Sequence, residues 1–163
     1  MTDTLTKKTD KGIVGFTCGA FDLMHAGHAM MLEECKTHCD YLVVGIQSDP
    51  SKDRAKKNRP VMSYEERIIL VKSNRWVDET VLYDTEADLV EILKALKPDV
   101  RILGADWKNQ TFTGYTLPIK TVFNERNHDF STSSLRRRVA MEEARLYNSS
   151  FYLTLLSEER DNN

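Results

Sequence analysis

Residues 12–28 read GIVGFTCGAFDLMHAGH, and the reading of this stretch decides the fold. It opens with a short apolar, β-branched run closed by Gly19, the pattern of a strand buried on both faces. The segment GHAMMLEECKTH follows from Gly27 and reads as a helix, with Met30, Met31 and Cys35 expected on one buried stripe. Strand, tight turn and helix in that order make the first half of a βαβ unit. His25 and His28 stand three residues apart at the junction of turn and helix. Residues at that spacing share a helix face. If the helix opens near Ala26, both imidazoles project beside free backbone N–H groups and the positive end of the helix dipole. That is an anion site in outline, and Gly27 would let a ligand approach the backbone. On these residues alone, solvent-facing histidines at a helix start are an equally open reading.

The remaining chain repeats the alternation. YLVVGIQSD (41–49) reads as a second buried strand, WVDETVLYD (76–84) as a third, DVRILGAD (99–106) as a fourth and PIKTVFNER (118–126) as a fifth. Between them, SYEERIILVKSN (63–74) carries Ser63 and Glu66 at capping-box spacing, so a helix starts near Tyr64. TEADLVEILKALKP (85–98) is amphipathic and stopped by Pro98. STSSLRRRVAMEEARL (131–146) reads as a helix capped by Ser131 or Thr132. Uniformly apolar strands alternating with helices predict a parallel sheet. The expected architecture is α/β, a single Rossmann-like domain whose five-stranded parallel sheet is flanked by helices. It spans 12–147, with a disordered polar arm at 1–11 and a C-terminal extension at 148–163. In such sheets ligands lie beyond the carboxyl ends of the strands. Gly19–His28, Gln47–Asp49, Gly104–Trp107 and Arg126–Ser134 all follow strands there.

Composition narrows the function classes. With 163 residues, 40% hydrophobic and 29% charged, the chain suits one soluble domain. A formal net charge of -2 and the lack of an aromatic–basic stripe argue against nucleic-acid binding. Any anion site must be local, and Lys52, Arg54, Lys56, Lys57 and Arg59 supply one candidate in a turn-rich loop after the second strand. A second is Arg126 with the hydroxyls of Ser131, Thr132 and Ser133 at a helix start. No apolar stretch is long enough to span a bilayer, and the polar start lacks a leader's apolar region, so a cytoplasmic setting is expected. Cys18, Cys35 and Cys39 are three thiols in that setting, not a disulfide framework. His25, His28, Cys35, His38 and Cys39 match no zinc spacing. Cys18, near the histidines, lacks a third group to orient a nucleophilic pair. Neither GxxxxGK[ST] nor GxGxxG occurs.

Five stretches in order carry a resemblance: GAFDLMHAGH, YLVVGIQSD, RPVMSYEERIILVKSNRWVDE, ILGADW and RNHDFSTSSLR, together spanning residues 13 to about 139. The chain resembles the cytidylyltransferase-like nucleotidyltransferases with an HxGH motif, most of all glycerol-3-phosphate cytidylyltransferases. The resemblance implies nucleotidyl transfer, in which an acceptor phosphate attacks the α-phosphate of a nucleoside triphosphate and pyrophosphate leaves. Such chemistry asks for positioning and charge stabilisation. It implies that His25 and His28 stabilise the α-phosphate, that Lys56 or Lys57 closes over the phosphates, and that Arg126, Ser131, Thr132 and Ser133 bind phosphate oxygens. It implies that Gly19, Ala20, Phe21, Asp22 and Gly27 border the nucleotide and that Arg67 reaches it or the edge of the site. Gly104, Asp106 and Trp107 would border the nucleoside or acceptor, and Asp49 and Trp107 the acceptor. Asp22 would help hold a magnesium ion with the triphosphate. CTP and a small phosphorylated alcohol such as glycerol 3-phosphate are the implied substrates. ATP with a sugar, pantetheine or flavin phosphate is the alternative, and a non-catalytic nucleotide-binding module a more distant one. WVDE would lie near a homodimer interface. Two departures stand out. Ala20 replaces the threonine of the family's usual GTFD, and residues 126–132 read RNHDFST where RTEGIST is usual.

Overall fold

The computed structural model describes residues 10–147. The expected C-terminal extension, and residues 1–9 of the expected arm, lie outside the described residues. Strands β1 (Val14–Gly19), β2 (Tyr41–Gln47), β3 (Glu79–Tyr83), β4 (Val100–Leu103) and β5 (Lys120–Phe123) form one sheet in the order β3-β2-β1-β4-β5. Every adjacent pair is parallel, as the apolar runs predict. Helices α1 (Ala26–Thr37), α2 (Tyr64–Lys72) and α3 (Glu86–Leu96) connect the strands, and α4 (Thr132–Leu146) follows. The chain divides after Asp129 into two compact units, with the sheet in the first and α4 in the second.

Two apolar layers sandwich the sheet. Leu32 and Cys35 of α1 and Val71 of α2 pack with Leu42, Val44, Ile46 and Ile102 on one face. Leu89 and Leu93 of α3 pack with Val14, Phe16, Val43 and Tyr83 on the other. The alternation Leu42–Val43–Val44 across these layers is the period-2 signature of a strand covered on both sides. Local signals set the helix starts. Ser63 Oγ accepts from Glu66 N while Glu66 Oε2 accepts from Ser63 N, the reciprocal box expected from SYEER. Thr85 and Asp88 repeat it at α3.

The α1 stripe is corrected. Cys35 is buried but Met30 is 46% exposed, and Gly27, Leu32 and Cys35 are the buried residues. Met30 and Cys35 are five residues apart, about 140° round a helix of 3.6 residues per turn, so they cannot share a narrow face. Among the described residues no helix is long and apolar enough to cross a membrane.

Candidate active site

The sheet order reverses at β1: the chain builds outward through β2 and β3, then crosses back to add β4 on β1's other side. The carboxyl ends of β1 and β4 therefore flank the crevice where such folds take ligands. FDLMHAGH leaves β1 and GADW leaves β4, so both enter this crevice.

The turn after β1 is strained. Phe21 has φ 53° and Leu23 φ 44°, left-handed conformations that bulky side chains rarely hold. Burial fixes the first, because Phe21 is 3% exposed within the core. Its ring lies 5.5 Å from that of His28. Asp22 pins the turn from the other side: its Oδ1 accepts from the backbone N–H of Val61 (3.0 Å) and of Met62 (2.9 Å). The basic loop is thereby tied back to the turn.

His25 and His28 cap α1 themselves. His25 Nδ1 accepts from Gly27 N at 3.1 Å, and His28 Nδ1 accepts from His25 N at 3.3 Å. This is a capping box with imidazole nitrogens in place of the usual hydroxyl and carboxylate. A ring nitrogen that accepts cannot also carry a proton, so each neutral ring holds its hydrogen on Nε2. The rings lie 4.1 Å apart, tilted by 31°. Burial, then the neighbouring His25, pull the pKa of His28 down to about 4, with Asp22 opposing. At neutral pH His28 is an uncharged donor at the positive end of a helix. Gly27 is required for this packing. A Cβ there would sit 2.8 Å from His128 Cε1 and 3.0 Å from His25 Cε1 and Nδ1.

Arg67 stands at the edge of the site with its guanidinium committed to backbone. It is 2% exposed and donates to the carbonyls of Ala20 (2.8 Å), Gln47 (2.7 Å) and Ser48, with Nε reaching Ser63 O at 3.3 Å. It thus clamps the carboxyl ends of β1 and β2 onto α2. Asp49 accepts from both N and Oγ of Ser51, which hold its carboxyl below the usual carboxylate range. Gly104 borders open space, with no atom within 4 Å of where a side chain would begin. Arg126 pairs with Asp106 at 3.3 Å, joining two of the expected positions. Gly19 ends β1 behind the Phe21 ring. Ser131, Thr132 and Ser133 belong to the second unit, where Ser131 Oγ accepts from Ser134 N and caps α4. Cys18 is unsuited to nucleophilic work, since burial pushes its thiol up and keeps it protonated.

Features that the sequence reading passed over complete the site. Glu86, at the start of α3, takes Arg54 in an ion pair, Gln47 Nε2 at 3.4 Å and the Thr113 hydroxyl. Asp53 accepts from Glu86 N at 2.8 Å. The basic loop is therefore rooted on α3, with the Arg54 guanidinium 5.8 Å over the Trp107 ring. Lys56 and Lys57 lie exposed just beyond that root. Asn124, 5% exposed, joins the end of β5 to α1 through Met31 O (3.1 Å) and Cys35 Sγ (3.6 Å). No local pattern marks Glu86 or Asn124; His128 carried a signal in being one of only four histidines. Among the described residues no group of three or more His, Cys, Asp or Glu is placed to hold a metal ion.

Comparison with known proteins agrees with this geometry. The cytidylyltransferase-like family profile matches residues 16–138. The bifunctional protein HldE of Campylobacter jejuni is 39% identical over 137 residues, 83% of this chain and 29% of that protein. HldE of Caulobacter vibrioides is 38% identical over 131 residues, 77% of this chain and 27% of its own length. The chain thus spans under a third of the length of these curated relatives. A lipopolysaccharide core biosynthesis protein from Thermoplasma volcanium superposes with a TM-score of 0.60 at 27% identity, covering 72% of this chain and 99% of that one. Pantothenate synthetase from Thermus thermophilus shares only the fold, at TM-scores of 0.52–0.53 and 12% identity, over 76–78% of this chain and 64–65% of that one. The HxGH turn, the parallel sheet and the profile match over residues 16–138 place the chain in the cytidylyltransferase-like family.

Proposed function

We propose that this enzyme transfers AMP from ATP to a sugar phosphate, releasing pyrophosphate. This replaces CTP and glycerol 3-phosphate, the first expectation from sequence. The similarity to HldE proteins carries the change, together with likeness to a protein of lipopolysaccharide core biosynthesis, a process that assembles sugars. The departures at Ala20 and at residues 127–130 weaken the match to the cytidylyltransferase pattern on which the first expectation stood.

In this reading an oxygen of the sugar phosphate attacks the α-phosphorus of ATP. The new O–P bond forms as the bond to the β-phosphate bridging oxygen breaks, and pyrophosphate carries that electron pair away. A phosphate nucleophile is already ionised, so no general base is required. His25 and His28 donate through Nε2 to the oxygens on which charge accumulates. They are pre-oriented by their Nδ1 caps, which lowers the reorganisation needed during reaction. Lys56 and Lys57 close over the β- and γ-phosphates from a loop whose root is fixed by Arg54 and Glu86. Asp106 and Arg126, as an ion pair, and Trp107 form the acceptor side. One carboxylate beside substrate phosphates is an ordinary magnesium donor set. Asp22 would be that carboxylate, and the ion would neutralise triphosphate charge. The reading keeps a cytoplasmic location and a homodimer formed near Trp76–Glu79.

The test is pyrophosphate release with ATP and CTP separately, crossed with hexose and heptose phosphates, glycerol 3-phosphate, phosphopantetheine and flavin mononucleotide. ATP with a sugar phosphate is expected to be the fastest pair. Faster release with CTP and glycerol 3-phosphate would overturn the proposal.

A further inference from the structure

Segments from across the chain meet at one carboxylate. Glu86 stands in the first turn of α3. It accepts from Arg54 of the basic loop, from Gln47 Nε2 at the end of β2 (3.4 Å) and from the Thr113 hydroxyl of the segment before β5. Its own N–H donates to Asp53 Oδ2 at 2.8 Å, so the basic loop is met twice. The helix does not require this. Thr85 and Asp88 already form its capping box, and an acid in the first turn suits the helix dipole without any partner. The contacts instead reach towards both sides of the site. Lys57 N donates to Arg54 O at 2.8 Å, so the turn that carries Lys56 and Lys57 is built on the residue that Glu86 grips. The Arg54 guanidinium lies over the Trp107 ring. Thr113 is secured from beneath as well. Its carbonyl accepts from Arg101, which is 3% exposed and stacks on the neighbouring Phe112 ring at 5.3 Å.

We propose that Glu86 is a positioning residue for both substrates: through Arg54 it sets where Lys56 and Lys57 stand over the triphosphate, and through Arg54 and Thr113 it fixes Trp107 and the segment bordering the acceptor. This rests on the nucleotidyl-transfer reading and adds to it a carboxylate that acts without touching either substrate. The charge pattern gives the reason. Lys52, Arg54, Lys56, Lys57 and Arg59 put five cations within eight residues, against the single acid Asp53. Such a run repels itself and extends. One anion beneath the run draws it down at Arg54 and leaves Lys56 and Lys57 exposed. A loop ordered before binding costs the ligand less to order. Because the same carboxylate also orders the acceptor side, its loss is felt by both substrates.

The full chain tests this, with α,β-methylene-ATP titrated by calorimetry and pyrophosphate release measured for ATP with the hexose or heptose phosphate that reacts fastest. Glu86→Gln keeps the shape and an acceptor oxygen but removes the charge. It is expected to raise the Kd for the analogue and the KM for the sugar phosphate about fivefold each, the scale of one lost ion pair, with kcat changed less. Arg54→Met breaks the same link from the loop. It is expected to weaken analogue binding to a similar degree, and serves if the glutamine variant fails to fold. Combining the two is expected to add little, since both act through one contact. The deciding background carries Lys56→Ala and Lys57→Ala. There Glu86→Gln is expected to leave analogue affinity unchanged while still weakening the sugar phosphate. A general loosening of the fold would lower analogue affinity by the same factor with or without the lysines, and that result would overturn the proposal. So would affinities for analogue and sugar phosphate that neither substitution alters. A wild-type chain that bound no triphosphate and released no pyrophosphate would overturn the function reading and this inference together.

Discussion

His25 uses its two ring nitrogens for different ends. Nδ1 caps α1 through Gly27 N, and in the proposed reaction Nε2 donates to the substrate. A cap of this kind contributes on the order of 1 kcal/mol, and asparagine is among the best residues for it. His25→Asn therefore separates the two functions. The amide oxygen replaces Nδ1 as acceptor, while the donor at the Nε2 position disappears. Thermal unfolding is expected to stay within about 3 °C of wild type, since less than about 1 kcal/mol is at stake. Turnover is expected to fall by at least ~10²-fold, as for removal of one preorganised charge-stabilising donor. Preserved turnover in this variant would reduce His25 to a helix cap. The motif was legible because two histidines flanking a glycine after an apolar run are rare in a chain with four histidines. Its capping geometry was not, because imidazoles stand outside the usual set of cap residues.

Among elements, α2 shows most clearly what a sequence hides. Its start was readable from Ser63 and Glu66, which act on backbone three residues away. Its most consequential residue was not, because Arg67 donates to carbonyls 47, 20 and 19 residues distant. Backbone acceptors carry no side-chain signature, so an arginine beside a ligand crevice looks the same whether it grips phosphate or strand ends. The contacts of Asp22 with Val61 and Met62 were hidden for the same reason. By contrast, the parallel strands were readable because burial on both faces demands continuous apolar runs. Arg67→Met keeps the aliphatic volume and leaves the carbonyls of Ala20, Gln47 and Ser48 without their donor. Stranding buried polar groups in this way is expected to destabilise by about 3 kcal/mol, lowering the unfolding midpoint by about 10 °C. Circular dichroism melts without nucleotide measure it. An arginine whose main task was gripping nucleotide would show the opposite pattern, an unchanged midpoint and a raised KM for ATP.

For the molecule as a whole, the site and the fold share one thermodynamic account. The crevice exists because the strand order turns at β1, and the same turn buries His28 between Phe21, His25 and Asp22. Folding pulls the pKa of His28 from 6.5 to about 4, mainly through burial. The unfolded chain therefore binds the proton more readily than the folded one throughout that interval. Stability rises with pH wherever the unfolded state holds more protons. The neutral imidazole is thus compatible with the fold above about pH 6.5, and stability is lost as pH falls from there towards 4. A shift of this size corresponds to about 3 kcal/mol, a large part of the net stability of an ordinary domain. His28→Gln tests it, because the amide can still accept from His25 N but does not titrate. Urea unfolding of both proteins at pH 7, 5.5 and 4.5 is the measurement. Carboxylates held low in the fold, such as Asp49 and Asp88, lose stabilisation on acidification in both proteins and cancel in the comparison. The wild type is expected to lose more stability than the variant at each step down in pH. Parallel profiles would mean that His28 titrates as it does in the unfolded chain. The neutral-donor assignment for this imidazole would then fail with the linkage.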